Sequence, residues 1–197
     1  MPKLIDHAQR DREIGEAAMR VLARDGLVAL SVRKVAEEAG LATASLRRAF
    51  PTQAALRSFC LDGIRSAVAD RLRRLDGDGG CLVIAMLEEL LPLDEVRRTE
   101  LMVQLQLGSL ALTDGSLAPS VRELSGGVRR VCDAAIAELV RAGEVPASVD
   151  AAFEGDRLHA LLDGLALRLL WSTDSDAGAR ARTMLERHFR MLGRGDG

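Results

Sequence analysis

The sequence predicts an all-α protein, and three observations carry that prediction. Of the 197 residues, 48% are hydrophobic and 28% charged, enough apolar side chain to bury a core. Aromatic residues make up only 3%, with one Trp, four Phe and no Tyr, while Leu, Ala, Val and Arg abound and Pro numbers five, a composition that favours helix. Apolar positions also recur at helical spacing along nearly the whole chain. The longest uncharged stretch, Leu101 to Thr113, falls short of the roughly 20 apolar residues that cross a bilayer. The opening Met1-Pro2-Lys3-Leu4-Ile5-Asp6-His7 lacks the apolar centre of a signal peptide, so a cytoplasmic location without membrane attachment is expected. Cys60, Cys81 and Cys132 are far apart and predict neither a disulfide framework nor a metal knuckle.

Ile14, Ala18, Val21 and Leu22 lie at i, i+4, i+7 and i+8, which predicts a first helix over about 9–25, closed by Gly26. Ser31 is placed to cap a second, short helix through Val32, Val35, Ala36 and Ala39, which Gly40 stops. Thr43 is expected to cap a third, running to Phe50, where Pro51 forbids continuation. Thr52 then opens a long amphipathic helix through Leu56, Phe59, Cys60, Ile64, Val68, Leu72 and Leu75, about 24 residues and 35 Å, ending at the Asp76-Gly77-Asp78-Gly79-Gly80 loop. Further helices are predicted over about 81–91, 94–113, 117–143, 150–173 and 177–192, separated by Pro92, Asp114-Gly115-Ser116, Gly143 to Pro146, and Thr173 to Asp176. Val103-Gln104-Leu105-Gln106-Leu107 alternates like a strand but has no second strand to pair with, and is read as helix.

Charge is unevenly spread along this pattern. Residues 1–75 hold 14 Lys and Arg against 9 Asp and Glu, and the remainder 13 against 20. A basic segment in a nearly neutral chain suits phosphate-backbone binding, because each cation set beside a phosphate releases condensed counterions. The same segment holds two short helices joined by a tight Gly-containing turn, the signature of a helix-turn-helix. Val32, Val35, Ala36, Ala39, Leu41, Leu46 and Phe50 are expected to glue the pair together. Ser31, Arg33, Lys34, Thr43, Ala44, Ser45, Arg47, Arg48, Thr52 and Gln53 form the expected contact set for double-stranded DNA. Arg47 or Arg48 can fork onto guanine, Ser45 can bond a base edge or a phosphate, and the Ala44 methyl suits a thymine methyl. Thr52, Gln53 and the amides opening the fourth helix are placed to hold a phosphate.

Leu30-Ser-Val-Arg-Lys-Val-Ala-Glu-Glu-Ala-Gly-Leu41, followed by Ser45-Leu46, Phe50-Pro51 and Leu56, resembles the N-terminal domain of TetR/AcrR-type transcriptional regulators over residues 6 to about 62. The Ser-Leu-Arg-x-x-Phe form of the third helix, Gln53 and the opening Met-Pro-Lys-Leu are similar to the BetI-like branch of that family. Leu91-Pro92-Leu93-Asp94-Glu95 and Leu162 to Leu167 resemble the same branch more loosely. The family's usual Tyr and His in the third helix are here Arg47 and Ala49, and its Lys at the next helix start is Gln53. That predicts either weaker non-specific binding or compensation by Arg47 and Arg48. The resemblance implies about nine helices, with a helix-turn-helix DNA-binding domain over 1–52 and a helical effector-binding and dimerisation domain over 53–197. It also implies a homodimer that leaves its operator, as a repressor does, when a small apolar or amphipathic effector binds.

The segment Leu158 to Trp171 is nearly apolar all round, and Ala181, Leu185, His188, Phe189 and Leu192 give the last helix a matching stripe. The expected dimer interface is therefore Leu158, Leu161, Leu162, Gly164, Leu165, Leu169, Ala181, Leu185, His188, Phe189 and Leu192, with Gly164 allowing close approach; the alternative is that both helices fill the monomer core. An effector pocket is expected among Phe59, Met86, Leu90, Met102, Leu105, Gln106, Ser109, Cys132 and Trp171. With no Tyr and one Trp, an aromatic cage for a quaternary ammonium is poorly supplied. Gly63, Gly108 and Gly126-Gly127, inside predicted helices, mark kinks or close contacts. His7, His159 and His188 are isolated from one another, and no nucleophile or second ligand stands at catalytic or metal spacing, so neither an enzyme nor a metal or other cofactor is expected. A helical protein-interaction module with an incidental basic head is the other function class this pattern allows.

Overall fold

The computed structural model describes residues 7–194; the opening Met1 to Asp6, read for a signal peptide, and the His7 side chain lie outside the described residues. Those residues form α1 (His7–Asp25), α2 (Val32–Glu38), α3 (Thr43–Ala49), α4 (Gln53–Leu72), α5 (Gly79–Glu88), α6 (Glu95–Ala111), α7 (Ala118–Arg141), α8 (Ala151–Trp171) and α9 (Ala177–Gly193), with single 3-10 turns at Leu27–Ala29 and Gly115–Leu117. No strand occurs among the described residues, and none of the helices is long and apolar enough to cross a membrane. The strand-like alternation at Val103–Leu107 lies within α6.

The chain divides into two compact units: Met1–Arg65 with Met102–Arg122, and Ser66–Leu101 with Glu123–Gly197. In the first, α1 packs on α2 and α2 on α3. Its buried side chains include Ile14, Ala18, Val21 and Leu22 of α1, Val35 and Ala36 of α2, Leu46 of α3, and Leu56, Cys60 and Ile64 of α4. Val103 and Leu107 are buried as well. Burial pushes the Cys60 thiol up to about 12, which leaves it an inert core residue.

The core of the second unit is built from one face each of α5, α7, α8 and α9. Here the structure corrects the expected dimer face. Leu158, Leu162, Leu165, Leu169, Ala181, Leu185 and Phe189 are all buried in this core, so they hold the protomer together and are not open to a second copy. Leu161 and Leu192 pack against it half-buried, and His188 is half-buried too. Only Gly164 of the expected set is exposed. What remains open on α8 is the opposite stripe: Phe153, Ala160, Gly164, Leu167 and Trp171, spaced by seven, four, three and four residues, fall in one line, with Leu167 half-buried and the rest exposed.

Helix ends also differ from the sequence reading. α4 stops at Leu72, three residues short of Leu75. In its last turn Arg71 is forked onto Glu100 at 2.9 and 2.8 Å and reaches Glu89 at 2.7 Å, a charge-assisted pairing that compensates the buried Glu100 carboxylate. α5 starts at Gly79, not at Cys81. Two carboxylates from elsewhere cap it: the Gly79 amide donates to Glu138 at 2.6 Å and the Gly80 amide to Glu144 at 2.7 Å. A Cβ on either glycine would run into the Glu144 carboxylate, which is why the helix can open on this pair. Thr43 is the first residue of α3 and not its cap, a position held by Ala42 without a side-chain bond.

Candidate nucleic-acid interface

The angle between α2 and α3 is set by a backbone motif. α2 ends in a Schellman arrangement, in which the Leu41 amide donates to the Ala36 carbonyl at 2.8 Å and the Gly40 amide to Glu37 at 3.2 Å. Gly40 stands at φ +65°, a region that residues with a Cβ rarely adopt. α2 itself begins where the sequence predicts: the Ser31 hydroxyl accepts from the Lys34 amide at 3.2 Å. α3 is only seven residues long and is held by the buried Leu46 and by Phe50, whose ring lies 4.9 Å from that of Phe59. Helical geometry then turns Ala44, Arg47, Arg48 and Ala49 outward, and all four are exposed.

The ten expected DNA contacts separate into free groups and groups with internal work. Arg33, Arg47 and Arg48 are exposed and have no hydrogen bond or ion pair among the described residues. Ala44 is exposed beside them, and Thr43 is half-buried. Lys34 has its ammonium 3.6 Å from Asp25, which partly neutralises it. Ser31 caps α2, and Thr52 accepts from the Ala55 amide at 3.1 Å to cap α4. Gln53 is corrected more firmly: its side-chain amide donates to the Leu30 carbonyl, bracing the start of α4 against the turn before α2. Ser45 is half-buried and accepts from Arg10 of α1 at 2.5 Å.

Electrostatics sharpen the division. Arg20 and Arg24 bond Glu38 at 2.8 and 3.1 Å, and Arg24 reaches Asp25 at 3.0 Å. These pairings hold the Asp25 and Glu38 carboxyls below the usual range, through their bonds to Arg24 and to Arg20 respectively. That corner of the head is therefore internally neutralised, while the α3 face is not. Arg10 is the residue the sequence reading missed. Its signal is position: Arg10, Ile14, Ala17, Ala18 and Val21 share one helical line, so a cation stands in register with a buried stripe and points toward a neighbour.

The expected pocket residues fall into both units. Phe59, Met102 and Gln106 are half-buried in the first, where Leu105 and Ser109 are exposed. The Gln106 Oε1 atom is buried without a partner, as is Arg57 Nε of the same unit. In the second unit Met86 and Leu90 are half-buried. Two expectations fail there on burial. Cys132 is fully buried in the core, its thiol pushed up to about 12, and Trp171 is 76% exposed, so neither lines an enclosed cavity of this unit.

Comparison with known proteins agrees with this geometry. Residues 14–58 match the family described as bacterial regulatory proteins, tetR family, and residues 82–194 match the BetI-type transcriptional repressor C-terminal family. The chain is 32% identical over 174 residues to the HTH-type transcriptional regulator PksA of Bacillus subtilis (strain 168), covering 86% of this chain and 83% of that protein. A transcriptional regulator from Rhodococcus sp. Rha1 superposes with a TM-score of 0.77 at 27% identity, over 94% of this chain and 96% of its own. A transcriptional regulator from Saccharomonospora viridis, solved in complex with choline, superposes with a TM-score of 0.73 at 25% identity, over 91% and 95% of the two chains.

Proposed function

Because the chain belongs to the TetR family of bacterial transcriptional regulators, and is a ligand-responsive DNA-binding protein by that membership, we propose that it is a repressor whose α3 helices read an operator as a symmetric pair. The observation that carries this reading is α3 itself: a seven-residue helix seated by Leu46 and presenting two unpaired arginines, Arg47 and Arg48. In a major groove a guanidinium gives guanine two parallel hydrogen bonds, and adjacent arginines supply both base readout and phosphate charge. A single short helix covers too few base pairs for specificity, so two heads about one helical turn apart, roughly 34–36 Å, are needed. Residues 1–52 form the reading domain and 53–197 the effector and dimerisation domain, acting in the cytoplasm where the operator lies.

The second copy docks on the open stripe of α8, Phe153, Ala160, Gly164, Leu167 and Trp171, and on the exposed Met184 and Met191 of α9. Phe153, Trp171, Met184 and Met191 are large apolar side chains left exposed on one protomer, and covering such a patch favours association. Gly164, with nothing within 4 Å of a notional Cβ, leaves room for close helix approach. The effector is a small apolar or amphipathic molecule that binds one arrangement of α4 better than the other, and differential affinity of a few kcal/mol suffices to release the operator. The Saccharomonospora relative was solved in complex with choline, which supports a small amphipathic molecule as the ligand class; the absence of Tyr here argues for a less aromatic site. Gel shifts with DNA from upstream of the chain's own gene test the reading: retardation that is lost in the Arg47→Ala, Arg48→Ala double variant is expected, and binding insensitive to both substitutions would refute it.

A further inference from the structure

Three cations of the head on α1 and α2 already have an anion. Arg20, Arg24 and Lys34 face Glu38 and Asp25 at 2.8 to 3.6 Å. Arg10 does not: no described residue gives it a carboxylate, and its one side-chain contact is with a neutral hydroxyl, Ser45 Oγ, 2.5 Å away and 35 residues on in sequence. Both groups are partly buried. A guanidinium keeps its charge at every accessible pH and carries five N–H donors, of which Ser45 takes one. Setting a full charge half out of water to hold a hydroxyl is costly when a neutral amide would serve, unless an anion arrives from outside to compensate it. Ser45, as the acceptor from Arg10, still has its own O–H to donate. It stands on α3 next to the exposed Ala44, at the edge of the face that Arg47 and Arg48 define.

We propose that Arg10 and Ser45 form a phosphate clamp shared by two helices. Arg10 supplies the charge from α1, Ser45 orients it from α3, and a DNA phosphodiester oxygen accepts from both. The clamp rests on the reading of the chain as a DNA-binding regulator. It removes Ser45 from the base-reading set and fixes the register of α3 in the groove through the backbone.

The test is the salt dependence of duplex binding by the intact protein, measured by fluorescence anisotropy for wild type, Arg10→Gln, Arg10→Lys and Ser45→Ala. Arg10→Gln keeps an amide donor for Ser45 and loses the charge. It should flatten the plot of log affinity against log salt by about 0.9 per head, or about 1.8 for a dimer. Between about 50 and 200 mM salt, wild-type affinity should then fall roughly tenfold more than that of the variant. Arg10→Lys should restore the slope, and Ser45→Ala should weaken binding while largely keeping it. A wild-type slope in Arg10→Gln, whether or not stability changes, would overturn the clamp and reduce Arg10 to an internal tie. Failure of wild type to bind any duplex at low salt would instead overturn the regulator reading beneath it.

Discussion

Gly40 decides how α3 leaves α2. At φ +65° with open space around its missing Cβ, its only constraint is backbone conformation, so Gly40→Ala should cost about 1–2 kcal/mol of stability and no packing. Urea denaturation would check this, and an unchanged midpoint would mean that the turn relaxes to another geometry. This glycine was legible in the sequence, as were Ser31 at the start of α2 and the buried Ile14, Val35 and Leu46, because caps and apolar periodicity are local signals. The partners of Ser45 and Gln53 were not. Each is fixed by a bond across more than twenty residues, Ser45 to Arg10 and Gln53 to the Leu30 carbonyl, and spacing within one helix says nothing about such contacts. Polar residues on a helix surface look alike in sequence whether they wait for DNA or brace a neighbour.

α5 and α8 show where helix-level reading ran short. The double glycine before Cys81 reads as loop, yet it is helix because Glu138 and Glu144 supply the missing acceptors. Glu138 is held down to about 2 from 4.5, first by its bond to Arg141 and then by the Gly79 amide. A carboxyl depressed in the folded state stabilises above its unfolded pKa, and that contribution fades as pH falls from 4.5 toward about 2. The protection factor of the Gly79 amide, taken against the intrinsic exchange rate at each pH, should therefore fall over that window, and Glu138→Gln should lower it already at neutral pH; protection unaffected by either change would show that the carboxylate is not the cap. On α8, a helix apolar all round gave no sign of which face turns inward. The structure separates the two faces, and they should respond differently. Leu162→Ala, in the core, should cost about 2–5 kcal/mol in denaturant unfolding. Leu167→Arg, on the open stripe, should leave the fold intact and shift sedimentation from dimer to monomer; a variant that remains dimeric would move the interface elsewhere.

Across the molecule, charge geography and helix order could be read directly, since both are sums over sequence. A basic first third precedes an acidic remainder, and the helix-turn-helix lies within the basic part. The effector site could not be read, because an apolar wall and an apolar core use the same residues at the same spacing; Cys132 proved to be core and Trp171 surface. The proposed function rests on two copies of α3 reaching the same face of a duplex. Hydroxyl-radical footprinting of the purified chain on its own upstream DNA resolves that directly. Two protected patches about one helical turn apart, roughly 34–36 Å, are predicted, and both should vanish in the Arg47→Ala, Arg48→Ala variant while its circular dichroism stays unchanged. Protection that survives the double substitution, or none at any protein concentration, would contradict the account.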